Sequence, residues 1–324
     1  MNILQQIYSP IEIEMRYLNN YYEKIFSNND TVVKNFLSKG DLLGGKKLRA
    51  ALVFLCAGIS GEISQRTEIA AFAFELLHYA SLIHDDVLDD GQKRHNHPTI
   101  NATYGNKAAI LTGDYLLAEC MFWVAQENYP ELLISIASVA KAMLNGELMQ
   151  LGKKSSPIFS EKKYMKMIQY KTAALIGACC EIGISSGISD LETISHWKRL
   201  GEDIGIIFQL RDDLLDYMPC SSSQKDPYKD IKNHRTTLPF IYAYRQTPDS
   251  EKQDLLHLYR YNSGSPEEIQ RIIRIVKKRG GIKYTNKKIE QIAEKCINFI
   301  VEQERSIYRK SLLMLVQFIC EREY

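Results

Sequence analysis

Two aspartate clusters are the residues of this chain best suited to chemistry. Their members are Asp85, Asp86, Asp89, Asp212, Asp213 and Asp216. In each cluster the outer aspartates are four residues apart, so on a helix they lie on one face. Each cluster follows an apolar stretch, where burying several carboxylates is costly unless a metal ion or another cation neutralises them.

The ligand chemistry of these clusters favours Mg²⁺. Carboxylate oxygens are hard ligands, and Mg²⁺ takes one or two of them and completes its shell with water and substrate phosphate. A single cluster is equally compatible with a solvated, charged helix face. Two copies with the same spacing favour the metal interpretation, and two such faces imply a diphosphate held between metal ions.

A third candidate lies at the start of a predicted helix. Gly44 and Gly45 precede Lys46 and Arg49, which are one turn apart. Backbone amides at a helix start, together with these cations, would form a phosphate grip. His78 lies two turns before the first acidic cluster and would point the same way. A basic first turn and a lone helical histidine are also common without any function.

Other charged residues have two possible interpretations each. The cations of residues 93–95 would counter a diphosphate, or would only complement the dipole at a helix end. Lys171 lies between two apolar runs and therefore needs an anionic partner, from the protein or from a ligand. Residues 225–235 are rich in charge and turn formers, and would form a mobile lid or a solvated loop.

Composition limits the class of protein. The chain has 324 residues, 45% hydrophobic and 25% charged, with a formal net charge of +2. This balance argues against a nucleic-acid-binding surface. No signal peptide and no run near eighteen apolar residues is apparent, so we expect a cytoplasmic protein without stable membrane insertion. The seven scattered cysteines are predicted to be free thiols in a reducing compartment.

Helical periodicity runs almost from end to end, whereas strand-like alternation is not evident. Residues 66–90 and 160–185 are apolar on most faces and should form central helices, and residues 283–322 should form one long helix. Ser189 with Glu192 resembles a capping box. No break is long enough for a linker, so the sequence predicts a single all-α domain spanning residues 1–324.

These motifs, in this order, resemble the trans-isoprenyl diphosphate synthases, which lengthen an allylic diphosphate with isopentenyl diphosphate. The resemblance covers about residues 40–245. Its segments are GGKKLR, LIHDDVLDD, RHNHPT, GNKAAILTGDYL, GELMQL, KTAALIGA, GEDIGIIFQLRDDLLD and TTLP. It implies an isoprenoid-synthase-type helical bundle around a central cavity, which forms a homodimer.

The resemblance also implies roles for matching residues. The Mg²⁺ ligands would be Asp85, Asp89 and Asp212, holding about three ions once substrate is bound. The catalytic group would comprise Asp85, Asp86, Asp89, Lys171, Asp212 and Asp213, supported by Asp216. The isopentenyl diphosphate site would comprise Lys46, Arg49, His78 and His95. The allylic diphosphate site would comprise Arg94, Lys171, Thr172, Gln209, Lys225 and Arg235.

Product length should depend on Ala80 and Ser81, which lie just before the first acidic cluster. Ala80 is about 7.5 Å back along the helix from Asp85. Short-chain relatives place aromatic rings here, so two small side chains imply a product of about thirty to forty carbons, built on farnesyl or geranylgeranyl diphosphate.

Two departures from the family pattern keep alternatives open. His95 stands where an arginine is usual, and His234-Arg235 stands where a glycine-lysine pair is usual. A subunit of a heteromeric synthase is therefore an alternative, as is a short-chain synthase. A terpene cyclase shares the ionisation chemistry, but usually carries a different second metal motif.

Overall fold

A computed structural model of the chain describes residues 2–28, 31–39, 45–94, 97–151, 160–218 and 228–322. The all-α prediction is confirmed. The helices are α1 (Ile3–Tyr8), α2 (Glu12–Asn28), α3 (Thr31–Lys39), α4 (Leu48–Ser60), α5 (Gln65–Leu88), α6 (Ile100–Tyr104), α7 (Asn106–Gln126), α8 (Pro130–Leu151), α9 (Glu161–Ile168), α10 (Ala174–Ile184), α11 (Leu191–Tyr217), α12 (Lys229–Lys232), α13 (Leu238–Arg245), α14 (Asp249–Tyr261), α15 (Pro266–Lys278), α16 (Gly281–Val301) and α17 (Ile307–Glu321).

The described residues also form two short helical turns and a pair of short strands. A 3₁₀ turn, Ser9–Ile11, joins α1 to α2, and a π-helical turn, Gln169–Ala173, joins α9 to α10. Strands β1 (Lys93–Arg94) and β2 (His97–Pro98) pair antiparallel. Sequence periodicity missed this hairpin because strands of two residues are too short to alternate.

The chain divides into two compact units. One comprises Met1–Lys141, Leu175–Gly201 and Val301–Leu315, and the other comprises Ala142–Ala174, Glu202–Ile300 and Val316–Tyr324. The single domain over residues 1–324 stays a prediction.

Helix α5 is central to the first unit, as its apolar faces predict. Phe72, Phe74 and Leu76 are fully buried, and α5 packs against α4 and α7. Helix α10 approaches α4 at Gly183, where a Cβ atom would lie 2.5 Å from the carbonyl oxygen of Val53. Only glycine permits that separation, so this contact holds α10 close against α4.

In the second unit, α13, α14 and α15 enclose an apolar cluster. Phe240 and Tyr259 stack with ring centroids 3.7 Å apart and pack with Ile272 and Val276. Helix α16 begins at Gly281, whose Cβ would lie 2.1 Å from the carbonyl oxygen of Pro239. The glycine therefore allows α16 to start directly against α13.

Two helix predictions were wrong in detail. The helix expected over residues 283–322 breaks between α16 and α17, where the guanidinium of Arg309 donates to the carbonyl oxygens of Val301 (2.9 Å) and Gln303 (2.7 Å). The cap of α11 is Asp190, which accepts the Thr193 amide at 2.8 Å, rather than the Ser189 box. Periodicity alone reveals neither the break nor the cap, because both involve side-chain hydrogen bonds.

Helices α7 and α8 are more apolar than the sequence analysis expected. Each is long and apolar enough to cross a membrane, by length and composition only. A search for unbroken apolar runs missed them because polar and charged residues, such as Asp114 in α7 and Lys141 in α8, interrupt the pattern. Only 33% and 22% of their apolar windows are buried, so both helices expose apolar side chains.

Candidate active site

The first acidic cluster lies at the carboxyl end of α5. Asp89 ends the helix, and its amide donates to the carbonyl oxygen of Asp85 at 2.9 Å. Asp85 and Asp89 are half-buried, whereas Asp86 is buried. Carboxylates at a helix C-terminus oppose the helix dipole, so this arrangement requires nearby positive charge.

Arg94 supplies part of that charge. Its Nε and Nη2 atoms bind the two carboxylate oxygens of Asp86 at 3.0 and 2.8 Å, and Nη2 also donates to the Leu82 carbonyl oxygen at 3.3 Å. A bidentate pair fixes the guanidinium plane. Asp86 therefore holds the arginine that was predicted to contact the allylic diphosphate, and this role of Arg94 stays a prediction.

A tight turn positions Arg94 behind α5. The Gly91 amide donates to the Asp86 carbonyl oxygen at 2.8 Å, while Thr99 and Asn101 both donate to the Gly91 carbonyl oxygen, at 2.7 and 3.0 Å. Sequence analysis assigned no role to Asn101. The predicted contact His95 lies outside the described residues.

The turn before α4 carries the predicted isopentenyl diphosphate cations. Lys47 adopts a left-handed backbone with φ +48°, and its Nζ atom donates to Asn19 at 2.6 Å. The hydroxyl of Tyr8 donates to the carbonyl oxygen of Lys46. Lys46 and Arg49 are both half-buried.

The predicted backbone phosphate grip is wrong at two of its amides. The amides of Arg49 and Ala50 both donate to Oε1 of Glu75, each at 3.1 Å. A carboxylate from α5 thus occupies the anion-binding end of α4. A diphosphate here would have to rely on side chains.

His78 lies one turn after Glu75 on α5 and is half-buried. Burial lowers the pKa of its imidazole well below the usual range, and the positive charges of Arg49 and Arg94 lower it further. The ring is therefore neutral near pH 7 and can donate or accept one hydrogen bond at each nitrogen. The charges of Arg49 and Arg94, both predicted site residues, therefore act on His78.

The predicted chain-length residues follow on the same helix. Ala80 is 3% exposed, and Ser81 is half-buried with its hydroxyl donating to the His78 carbonyl oxygen at 2.7 Å. Both side chains are small, so they fill little space beside α5.

The second acidic cluster lies at the end of α11 within a chain of hydrogen bonds. Thr172 donates to Gln209 at 2.9 Å, Gln209 donates to Asp213 at 3.0 Å, and the hydroxyl of Tyr164 also donates to Asp213. Burial and nearby Asp230 raise the pKa of Asp213 well above its usual range. Three predicted residues thus meet, and Tyr164 is a partner that the sequence analysis missed.

The other two aspartates have separate partners. Asp212 lies 3.3 Å from Nη2 of Arg322, whose guanidinium stacks on the Phe208 ring with 3.8 Å to its centroid. Asp216 accepts the amides of Asp230 (3.1 Å) and Ile231 (3.4 Å) at the start of α12. Burial and then Asp230 raise the pKa of Asp216 to about 7. Arg322 was not predicted, because the family resemblance ends well before it.

Lys171 has the anionic partner that its apolar surroundings require. Its Nζ atom forms an ion pair with Glu147 and lies 3.4 Å from Oε1 of Gln150. Lys171 sits in the π-helical turn, a feature frequent at functional sites. Glu147 and Gln150 belong to the GELMQL segment, so the motif was recognised but its contact was not.

The departure at His234 has a backbone explanation. His234 has φ +54°, a conformation that favours glycine but that histidine tolerates better than most residues. Its Nδ1 atom lies 3.0 Å from the Tyr259 carbonyl oxygen and 3.2 Å from the Asn262 amide nitrogen. Arg235 is half-buried, with Nη1 3.7 Å from Asp230.

The donors suit Mg²⁺. Within the described ranges, no three Asp, Glu, His or Cys side chains converge into an all-protein metal site. Mg²⁺ binds through one or two carboxylates plus water and phosphate, and the half-buried pair Asp85 and Asp89 fits that requirement. Lys225, a predicted phosphate contact, lies outside the described residues.

Comparison with known proteins identifies the family. The family model described as Polyprenyl synthetase matches residues 31–276. An octaprenyl diphosphate synthase of Haemophilus influenzae is 30% identical over 285 residues, covering 87% of this chain and 85% of that protein. An all-trans-nonaprenyl-diphosphate synthase (geranyl-diphosphate specific) of Rhodobacter capsulatus is 27% identical over 320 residues, covering 98% of each.

A solved structure is also similar along its whole length. The geranylgeranyl pyrophosphate synthase of Bacteroides thetaiotaomicron has a TM-score of 0.83 and 31% identity, covering 99% of this chain and 100% of that one. The products named for these three proteins differ in length. The matched motifs, the helical fold and these relatives together show that this chain belongs to the polyprenyl synthetase family and is a prenyl-transferring enzyme.

Proposed function

We propose that the chain is a trans-polyprenyl diphosphate synthase that condenses isopentenyl diphosphate with an allylic diphosphate, farnesyl or geranylgeranyl, to give a product of about thirty to forty carbons. The observation that carries the proposal is the pair of acidic clusters. Each cluster binds cationic or hydrogen-bond-donating side chains of the kind that also bind phosphate. Asp86 binds Arg94, and Asp213 is bound to Gln209 and, through it, to Thr172.

Asp85, Asp89 and Asp212 would hold Mg²⁺, on which the family in general depends. When bound, Mg²⁺ would stabilise the charge that develops on the departing diphosphate. We assign about three ions to the complex with substrate, on the strength of the family resemblance.

The chain's own residues would bind and orient the two diphosphates. Lys46, Arg49, His78 and His95 would bind isopentenyl diphosphate. Arg94, Lys171, Thr172, Gln209, Lys225 and Arg235 would bind the allylic diphosphate. Preorganised donors of this kind lower the barrier most where charge develops in the transition state.

The bond changes need no protein nucleophile. The allylic C–O bond breaks and its electron pair leaves with the diphosphate. The isopentenyl double bond then forms a new C–C bond to the allylic carbon, and a proton lost from the adduct to the released diphosphate restores an alkene. The role of the protein is to hold the reacting carbons together and to keep water from the cation.

The proposed product length rests on two small residues of α5. The small, buried Ala80 and its neighbour Ser81 support a long tail, whereas the named relatives make products of different lengths. A short-chain product is therefore the alternative. Products made from geranyl, farnesyl and geranylgeranyl diphosphate by the purified chain, separated by length, decide between the two.

A homodimer is our proposal for the quaternary state. Apolar side chains exposed on α7 and α8 support it. They include Leu111 (68%), Phe122 (56%), Ile134 (68%), Leu144 (60%) and Leu148 (66%). Exposed apolar faces of this kind mark interfaces. Light scattering on the purified chain tests the dimer, and a monomer would contradict it.

The same preparation tests the heteromeric alternative, and fractionation of a cell lysate tests the expected cytoplasmic location. Turnover by the purified chain alone supports a self-sufficient enzyme, and recovery of that activity in the soluble fraction of a cell lysate, not in the membrane fraction, supports the proposed cytoplasmic location. No turnover with any of the three primers would contradict the proposed function and favour a subunit that needs a partner.

A further inference from the structure

We infer that Glu75 is a positioning residue of the isopentenyl diphosphate site. Its negative charge balances the positive charge of Arg49 until a diphosphate binds. The inference rests on the proposed function. Glu75 is not among the four residues assigned to that site. Removing its negative charge is expected to tighten the binding of diphosphates.

Glu75 fixes the start of α4. It is only 2% exposed, and a single carboxylate oxygen accepts the amides of both Arg49 and Ala50 at 3.1 Å. Those bonds occupy amides that would otherwise attract an anion. Lys47 is held to one side by Asn19 and lies 5.2 Å above the Tyr22 ring. Glu75 therefore directs the first turn of α4 while leaving recognition to side chains.

Glu75 also compensates the charge of Arg49. Burial raises the pKa of Glu75, but the charge of Arg49 and the two backbone hydrogen bonds oppose that rise. Burial likewise lowers the pKa of Arg49, and the charge of Glu75 opposes that change. Each group thus makes the other less costly to bury in charged form.

One side-chain donor of Arg49 is not used by Glu75. The Nε atom of Arg49 is buried and has no hydrogen-bond partner among the residues that the structure describes. His78, one turn along α5 from Glu75, has its pKa lowered by burial and by the Arg49 charge. The charge of Arg49 thus acts on both His78 and Glu75, and Glu75 occupies the amides at the start of α4.

The sign of the effect follows from electrostatic competition. A bound diphosphate brings negative charge to Arg49, and Glu75 repels it. In Glu75→Gln, the amide oxygen can still accept the two backbone bonds but the charge is gone. Without ligand, the variant lacks the negative charge of Glu75 that compensates Arg49. In the complex, the bound diphosphate supplies negative charge beside Arg49. We expect lower stability without ligand and tighter binding of diphosphates.

Isothermal titration of inorganic diphosphate and of isopentenyl diphosphate tests this. We expect Glu75→Gln to bind both roughly three- to thirtyfold more tightly than the wild type, from the Coulomb energy of one charge at an effective dielectric constant of about 20. Glu68→Gln is the matched control, because Glu68 lies on the same helix and its carboxylate accepts from Tyr21, at 3.2 Å, and not from the amides of α4 described above. Its affinity should not change.

A purely structural role for Glu75 predicts unchanged or weaker binding in Glu75→Gln, and either result overturns the inference. If the variant is unfolded alone, added inorganic diphosphate should restore its folding; failure of that rescue also overturns it. Turnover by the wild type is measured separately. Its absence would contradict the proposed function, while the inorganic diphosphate titration would still decide the role of Glu75.

Discussion

At Gly146 of α8, one added methyl group should reduce activity much more than it reduces stability. A Cβ atom there would lie 2.6 Å from the backbone nitrogen of Lys171 and 2.8 Å from its Cα atom. The atom that it meets is backbone in the π-helical turn, so no side chain can simply rotate away. Gly146→Ala must therefore push Lys171 away from α8.

The size of the shift follows from the distance. A separation of 2.6 Å falls about 0.8 Å short of the 3.4 Å at which ordinary contact begins. Alanine in a helix interior is worth about 1 kcal/mol over glycine, but overpacking costs roughly 1–3 kcal/mol. We expect a net loss of up to about 2 kcal/mol in the free energy of unfolding.

The effect on activity should be larger. Misplacing a catalytic group by about 1 Å can cost on the order of a hundredfold. Lys171 is a predicted allylic diphosphate contact, and its ion pair with Glu147 would move with it. We therefore expect kcat/KM for the allylic substrate to fall roughly ten- to a hundredfold in Gly146→Ala.

The assay compares kcat/KM and the thermal midpoint of Gly146→Ala with those of Asn145→Ala. Asn145 is the exposed neighbour on the same helix, so its replacement should change stability by less than about 0.5 kcal/mol and leave kcat/KM unchanged. A Gly146→Ala variant that is as stable and as active as the wild type would refute the reasoning.

Three further variants test other parts of the protein. Ala80→Tyr adds a ring at a residue that is 3% exposed, so we expect shorter products; an unaltered chain-length profile would mean that the growing tail passes elsewhere. Tyr164→Phe removes the hydroxyl that donates to Asp213, so we expect the free energy of unfolding to fall by about 1–3 kcal/mol in denaturant titrations; coincident transitions would contradict this. Burial raises the pKa of Glu161. Hydrogen bonds from Lys288 and Tyr284 outweigh this effect of burial and lower the pKa below the usual 4.5. This contribution to stability is complete above that value and is lost as the pH falls. Glu161→Gln should therefore weaken the decline of the thermal midpoint as the pH falls below 4.5, and a decline identical to that of the wild type would count against it.

The structure explains one departure of the sequence from its family. The glycine usually present before the T-L-P segment is replaced by His234, and the left-handed backbone at φ +54° shows why glycine suits that position. Histidine bears the strain because its ring is held by Tyr259 and Asn262. The sequence showed the substitution, but only the backbone angle gave its cause.

Features of short range were predictable from the sequence. The helical class, the central place of α5 and the two acidic clusters follow from residues within one or two helical turns, where side-chain spacing fixes which groups share a face. The order of the motifs was enough to indicate the family. It did not determine product length.

What only the tertiary structure decided is which charge meets which partner. Glu75 caps a helix that begins 27 positions earlier in the chain, at Leu48, Tyr164 reaches Asp213 across 49 positions, and Arg322 reaches Asp212 across 110. Sequence spacing carries no information about such contacts, because they arise only when separate helices pack together. A buried charge shows that a partner must exist, and the fold determines which residue that partner is.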